Sequence, residues 1–353
     1  MYKVTLRAWQ VFFKFIFPSL LIRIKCSIKV QKLTQINNIH PTCWIITEGI
    51  AGTENQCLGV AQALGISATV KRITLNEPWK SLSPYLGFER AHSFTPALTA
   101  PWPDLLITSG RKAIAPSRFI KKQSKGKTVT VHIQDPRINP QHFDLLAVPA
   151  HDPARGKNVI VTKASPNKIT HDLISSAKGL FPGLGNLPSP RIAVLIGGSS
   201  QAYTMTREIT QNLADALNKI DAPLMITCSR RTGDDNRAIL EHALNTSKNY
   251  FWNGQDENPY LAMLGWADMI MVTADSASMI SESCTTGKPV YMIDLEGGSK
   301  RITALHNSLI KHGALRRFEG ALEPYHYEPL NDSKLVADEI KNRFGALLSL
   351  HDA

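Results

Sequence analysis

The chain has 353 residues, 43% hydrophobic and 20% charged, enough apolar material for two cores of ordinary size and too little bias for a disordered, collagen-like or low-complexity chain. Its five cysteines are an odd number with no C-x-x-C pair, which argues against a disulfide framework or a cysteine-ligated zinc and for a reducing compartment. The net charge of +11 is local, because Lys3, Arg7, Lys14, Arg23, Lys25, Lys29 and Lys32 fall in the first 33 residues and the first acid is Glu48; this points to one cationic segment rather than a nucleic-acid-binding body.

That segment, residues 1–40, also holds AWQVFFKFIFPSLLI at 8–22. The run is short for a spanning helix and carries Lys14 and Pro18 inside it, and no small-residue cleavage site follows. A membrane-surface anchor is the reading, on the cytoplasmic face of an inner membrane, with Trp9 and the phenylalanines in the interfacial layer and a short spanning helix or an uncleaved or mis-called start as the alternatives.

From Pro41 the pattern changes. CWIIT (43–47), DLLIT (104–108), KTVTVHI (127–133) and DLLAVPA (144–150) read as buried parallel strands of a first domain over 41–185. A helix between the first two should be capped by Thr53, with Gln56 completing a capping box, and closed by Gly65. GLFPGLGNLPSP (179–190) reads as a linker. A second domain over 186–330 alternates more cleanly: RIAVLI (191–196), PLMITC (223–228), NYFW (249–252), DMIMVT (268–273) and PVYMID (289–294) are each followed by a helical stretch. The expected class is α/β, with two doubly wound parallel sheets, and residues 331–353 form a last helix that packs back on the first domain.

In such sheets ligands sit where strand carboxyl ends meet helix N-termini, and the polar residues gather there. Gly197-Gly198-Ser199-Ser200 follows one strand, and a turn of this kind can offer several N–H groups to a diphosphate. Ser229-Arg230-Arg231 follows the next, with a guanidinium able to take a phosphate in bidentate fashion. Asp275-Ser276-Ala277-Ser278-Met279 opens a helix that Asp275 can cap, and Glu282 lies one turn below Ser278 on the same face, suited to the hydroxyls of a ribose. Convergence of the three loops implies a uridine-type diphosphate on the second domain. Across a shared cleft the first domain offers Gly49, Gly52, Asn55, Gln56, Ser109, Gly110 and Arg111 for the other substrate. Asp135 and His151 are the candidate general bases. No G-x-G-x-x-G follows a strand, which counts against a sugar-nucleotide epimerase or dehydrogenase, and there is no Walker A or G-x-S-x-G pattern; no Asp-x-Asp stands at a strand end, so no metal is expected.

GTENQCLGVAQALG, DLLITSGRKA, IQDPR with FDLLAVPAHD, VLIGGSS, SRRTGDDN and VTADSASMISESCTTGKPVY stand in that order over residues 43–295. Together they resemble the mitochondrial fission "elongated mitochondria" (ELM-type) family, which has many bacterial members and is similar in turn to GT-B glycosyltransferases, MurG among them. The resemblance implies a GT-B-like arrangement of Rossmann-like domains. The implied function is a metal-independent transferase using a nucleotide-diphosphate sugar, UDP-linked, as co-substrate, with no other cofactor. It would act near the membrane on an envelope glycan or lipid-linked acceptor. The family's fission role implies the alternative, a non-catalytic nucleotide-binding or scaffold protein.

Overall fold

The apolar runs named above from Cys43 onward all form strands, and the reason is the same for each. Four to five consecutive apolar or β-branched residues can be buried on both faces only between two helical layers. The computed structural model describes residues 41–150 and 152–350; the predicted anchor and His151 lie outside them. Strands β1 (Cys43–Thr47), β2 (Ala68–Arg72), β3 (Leu105–Ser109), β4 (Val129–Ile133), β5 (Leu145–Pro149) and β6 (Val159–Thr162) form a six-stranded sheet in the order β2-β1-β3-β4-β5-β6. All its pairings are parallel. Strands β7 (Ile192–Ile196), β8 (Leu224–Cys228), β9 (Tyr250–Phe251), β10 (Met269–Thr273), β11 (Val290–Ile293) and β12 (Arg316–Arg317) form a second, in the order β9-β8-β7-β10-β11-β12. This sheet too is parallel throughout. Two such sheets give the chain a GT-B-like architecture.

Central strands are closed to water: Leu105, Leu106 and Ile107 in β3 and all five residues of β7 are 0% exposed, each large aliphatic contributing roughly 1.5–3 kcal/mol. The edge strand β2 keeps Thr69 and Arg72 exposed instead. Helix α1 (Ala51–Ala63) starts two residues before the predicted cap: Ile50 is the N-cap, with no side-chain bond, and the Thr53 hydroxyl donates to the Ile50 carbonyl at 3.0 Å. No capping box forms, because the Gln56 side chain is drawn into the sheet edge. The C-terminus is as read. Gly65, at φ 73°, donates to Gln62 and Ile66 to Ala61, a Schellman closure that a left-handed residue permits.

The chain passes between the sheets at 163–170, earlier than the predicted linker. Helix α3 (His171–Leu180) and the helical turn Pro182–Asn186 pack Ala177, Leu184, Phe181 and Leu187 into the second domain's core. The Trp266 indole, at the end of α6 (Tyr260–Trp266), donates to the Phe181 carbonyl at 3.1 Å. The passage is held by the last helix, α9 (Asp332–Leu348), whose Asp332 carboxylate accepts the Lys163 and Ala164 N–H groups at 2.9 and 3.0 Å. Val336, Ala337 and Ile340 of α9 join Cys57, Val60 and Ala61 of α1 in one apolar cluster. The remaining helices of more than one turn are α2 (Ile114–Gln123), α4 (Arg207–Asn218), α5 (Asp234–Leu244), α7 (Ala277–Thr285) and α8 (Lys300–Lys311). No helix among the described residues is long and apolar enough to cross a membrane.

Candidate functional site between the sheets

Strand order reverses between β1 and β3 in the first sheet and between β7 and β10 in the second. Loops leaving such neighbours turn to opposite faces and open a crevice. Most of the predicted site residues stand at these two places.

In the second domain the three loops are joined to one another. The Gly197 N–H donates to the Thr273 hydroxyl at 2.7 Å, and the Gly198 N–H to the Asp275 carboxylate at 3.0 Å. The Ser199 N–H reaches the Arg231 carbonyl at 3.2 Å and the Ser200 N–H the Tyr203 carbonyl at 2.9 Å. The donors expected to face a diphosphate are therefore spent on the protein. The glycines are required by close approach: a Cβ on Gly197 would lie 2.2 Å from the Asp275 carboxylate, and one on Gly198 would lie 2.1 Å from the Arg231 carbonyl. The hydroxyls of Ser199 and Ser200 likewise accept local N–H groups, from Met205 at 3.0 Å and from Tyr203 at 3.2 Å.

Asp275 does not cap α7. Ser276 does, accepting the Met279 N–H at 3.4 Å, which leaves the Asp275 side chain, fully buried, to pair with Arg231 at 2.7 Å. Its second oxygen has no hydrogen-bond partner in the structure. The Arg231 guanidinium is 41% exposed and keeps donors pointing outward. Ser229 ties the turn by accepting the Arg231 N–H at 3.2 Å, and Arg230 is exposed beside it.

Helix α7 carries the site toward the first domain. Ser278 and Met279 are half-buried in its first turn. Glu282 is only 7% exposed, accepting the Tyr260 hydroxyl at 2.5 Å, with the Asn55 side chain of α1 close enough to favour its charged form. Burial raises the Glu282 carboxyl above the usual range, against Tyr260, Lys168 and Asn55, which pull it down. Burial and the neighbouring Glu282 push the Tyr260 phenol well up. Gly52, one turn before Asn55, faces Ser278 so closely that a Cβ would meet its hydroxyl at 2.8 Å. The N-terminal turns of α1 and α7 thus meet across the crevice.

On the first-domain side, Gln56 is 4% exposed and accepts the Ser109 hydroxyl at 2.6 Å and the Gln134 amide at 3.0 Å. Gly49 and Gly110 hold φ of 84° and 85°, left-handed backbone that turns the chain sharply after β1 and β3. Arg111 is exposed at that edge. Asp135 lines a cavity of about 400 Å³ with Arg137, Asp152, Pro153, Lys300 and Arg301. Its carboxylate accepts the Arg137 N–H at 2.8 Å. Arg301, in the first turn of α8, clamps the buried Asp152 carboxylate through two bonds of 2.8 and 3.0 Å, a second tie between the domains.

Sequence reading missed Tyr260, Arg301, Lys300 and the role of Gln134. Tyr260 and Glu282 are 22 residues apart, and Arg301 and Asp152 are 149 apart; no local spacing couples them. Among the described residues no group of three His, Cys, Asp or Glu is placed to hold a metal.

This chain is similar to the mitochondrial fission protein ELM1 of Arabidopsis thaliana, with 26% identity over 395 residues, covering 88% of this chain and 92% of that protein. It is also similar to a bacterial protein, the uncharacterized RP120 of Rickettsia prowazekii, with 28% identity over 285 residues, covering 68% of this chain and 79% of the relative. Among solved structures, Os79 from O. sativa in complex with UDP superposes with a TM-score of 0.50 at 8% identity, covering 87% of this chain and 94% of that one; this is a likeness of fold. The family model for mitochondrial fission ELM1 matches residues 51–344, and the chain therefore belongs to the mitochondrial fission ELM1 family.

Proposed function

We propose that this protein binds a nucleoside-diphosphate sugar, UDP-linked, in the crevice between its sheets and transfers the glycosyl group, without a metal, to an acceptor held at or near a membrane. One observation carries the reading: at the second switch point the exposed Arg231 guanidinium is fixed by a fully buried carboxylate, seven residues before Glu282 on the same strand-to-helix connection. Rigid placement is what binding a diphosphate and its ribose requires, since little ordering cost remains at binding. UDP in Os79 from O. sativa, a protein of like fold, supports the nucleotide class.

In this reading Arg231 takes diphosphate oxygens and stabilises the leaving group. The Glu282 carboxyl meets the ribose hydroxyls where the Asn55 side chain of the first domain now faces it, so nucleotide entry must move the two domains' facing turns apart. The acceptor hydroxyl attacks the anomeric carbon, the bond to the diphosphate breaks with its electron pair on the diphosphate oxygen, and the acceptor proton passes to Asp135. The basic, aromatic residues 1–34 would hold the protein at the inner membrane's cytoplasmic face. A non-catalytic nucleotide-binding or scaffold role is the second reading, favoured by the internal use of the Gly197–Ser200 donors.

Titration calorimetry of the full chain with UDP and a panel of UDP-sugars tests the site. Measurable binding is expected, weakened by about 1–3 kcal/mol in Glu282→Ala, with Arg231→Ala costing diphosphates more than uridine. No heat at millimolar UDP or UDP-sugar refutes it. Binding without turnover on any lipid-linked or glycan acceptor selects the second reading.

A further inference from the structure

The stretch between β2 and β3 holds a feature that nucleotide chemistry does not use. Leu82, Tyr85 and Phe88 are 52%, 70% and 87% exposed. Phe88 is also held at φ 60°, a left-handed conformation that a bulky residue adopts only when its surroundings impose it. The stretch is not loosely attached. Beneath it Ile73, Leu75, Phe94 and Leu98 share a core with Phe119 and Ile120 of α2, and the Trp79 indole donates to the Gly87 carbonyl at 3.1 Å. Three apolar side chains are thus presented to water from a firm base.

A basic groove of about 370 Å³ adjoins them, lined by Arg118, Lys121, Lys122, Lys125, Gly126, Gln141 and His142. Arg118 joins the two features: its guanidinium donates to the Pro84 and Leu86 carbonyls at 2.8 and 2.6 Å and pairs with Glu89. Lys121 is paired with Asp144 at 2.9 Å, whereas Lys122 and Lys125 are exposed and form no ion pair with the described residues. Complementing the helix dipole accounts for lysines at the end of α2. It does not account for exposed apolar side chains beside them.

We propose that this face of the first domain docks on an anionic lipid surface, with Leu82, Tyr85 and Phe88 entering the interfacial layer and Lys122 and Lys125 meeting headgroup phosphates. Exposed apolar side chains beside unpaired lysines match that layer. The proposal rests neither on the nucleotide site nor on residues 1–34.

The test uses the full chain carrying Leu82→Cys labelled with an environment-sensitive fluorophore, and as control Leu347→Cys on the exposed side of α9. Both are read against wild type taken through the same labelling. With vesicles of phosphatidylcholine plus phosphatidylglycerol, the probe at 82 should shift to the blue and the probe at 347 should not. Tyr85→Ser with Phe88→Ser should weaken the response at least tenfold. Lys122→Glu and Lys125→Glu should weaken it about fivefold each, and salt should do the same. UDP binding, if present, should be unchanged in all of these variants. Sedimentation with vesicles but no shift at 82 overturns the proposal, because another surface then holds the membrane. No association with the vesicles overturns it as well, and a shift with polyglutamate but not with vesicles assigns the face to an acidic polypeptide instead.

Discussion

The two switch points solve the same problem in different ways. In the second domain the loop donors and acceptors satisfy one another: Gly197, Gly198 and Ser199 bond to Thr273, Asp275 and Arg231. In the first domain Gln56 also holds Ser109 and Gln134 internally, but Asn55 faces Glu282 and Asp152 pairs with Arg301 across the crevice. The difference assigns the parts. One side is a seat whose shape is independent of its partner, and the other carries contacts that a ligand or a domain movement must break.

The largest expected effect comes from breaking the seat. Gly198→Ala places a Cβ 2.1 Å from a backbone carbonyl and should cost about 3 kcal/mol in urea unfolding. Gly52→Ala, whose Cβ meets only a serine hydroxyl at 2.8 Å, should cost about 1 kcal/mol or less because that side chain can turn away. Equal losses would show that the two sides do not differ in rigidity.

Acid should act on the first domain. His132 in β4 is fully buried, bonded through Nδ1 to the Thr108 hydroxyl at 2.9 Å and stacked on Phe143, and burial lowers it to about 3. The unfolded chain takes up a proton near pH 6.5 that the folded chain refuses until about pH 3. Stability from this group is complete above the upper value and lost as pH falls through the window, at about 1.4 kcal/mol per pH unit. His132→Gln should flatten the pH dependence by that slope. Hydrogen exchange at mildly acidic pH should rise first in β3–β5, and earlier opening of β7–β11 would place the acid-sensitive group elsewhere.

The interdomain ties are weaker. Asp152→Asn removes the charge facing Arg301, a guanidinium 43% exposed, and should cost about 1–2 kcal/mol, reduced by solvent screening. Denaturation in high salt should narrow the gap between variant and wild type. The smallest effect has the opposite sign. Because burial raises the Glu282 carboxyl, the folded chain holds this proton above the pH at which the unfolded chain releases it, and the charge costs stability as pH rises. Glu282→Gln should therefore melt closer to wild type in acid and above it in mild alkali, while losing UDP affinity. A variant less stable in alkali would mean that Tyr260 and Asn55 favour the charged form more than burial opposes it.

Much of this molecule is legible in its sequence, for reasons of range. Buried parallel strands advertise themselves as apolar runs, and Gly65 closes α1 because a left-handed cap needs only its neighbours. Motifs such as Gly197–Ser200 and Asp275–Glu282 stand at strand ends because helix N-termini follow there. What those residues do was decided by tertiary structure. Thr53 and Asp275 have capping chemistry, yet a helix start two residues earlier removed one cap, and the pull of Arg231 and the Gly198 N–H removed the other. The glycine pair that looks like a phosphate cradle is instead the gap through which two loops approach to van der Waals contact. Tyr260 meets Glu282 through packing of two helices within the second domain, and Arg301 meets Asp152 only because the chain crosses at 163–170 and brings the two domains together. A sequence records which residues can donate, accept or turn, whereas which of them meet is set by packing between elements far apart along the chain.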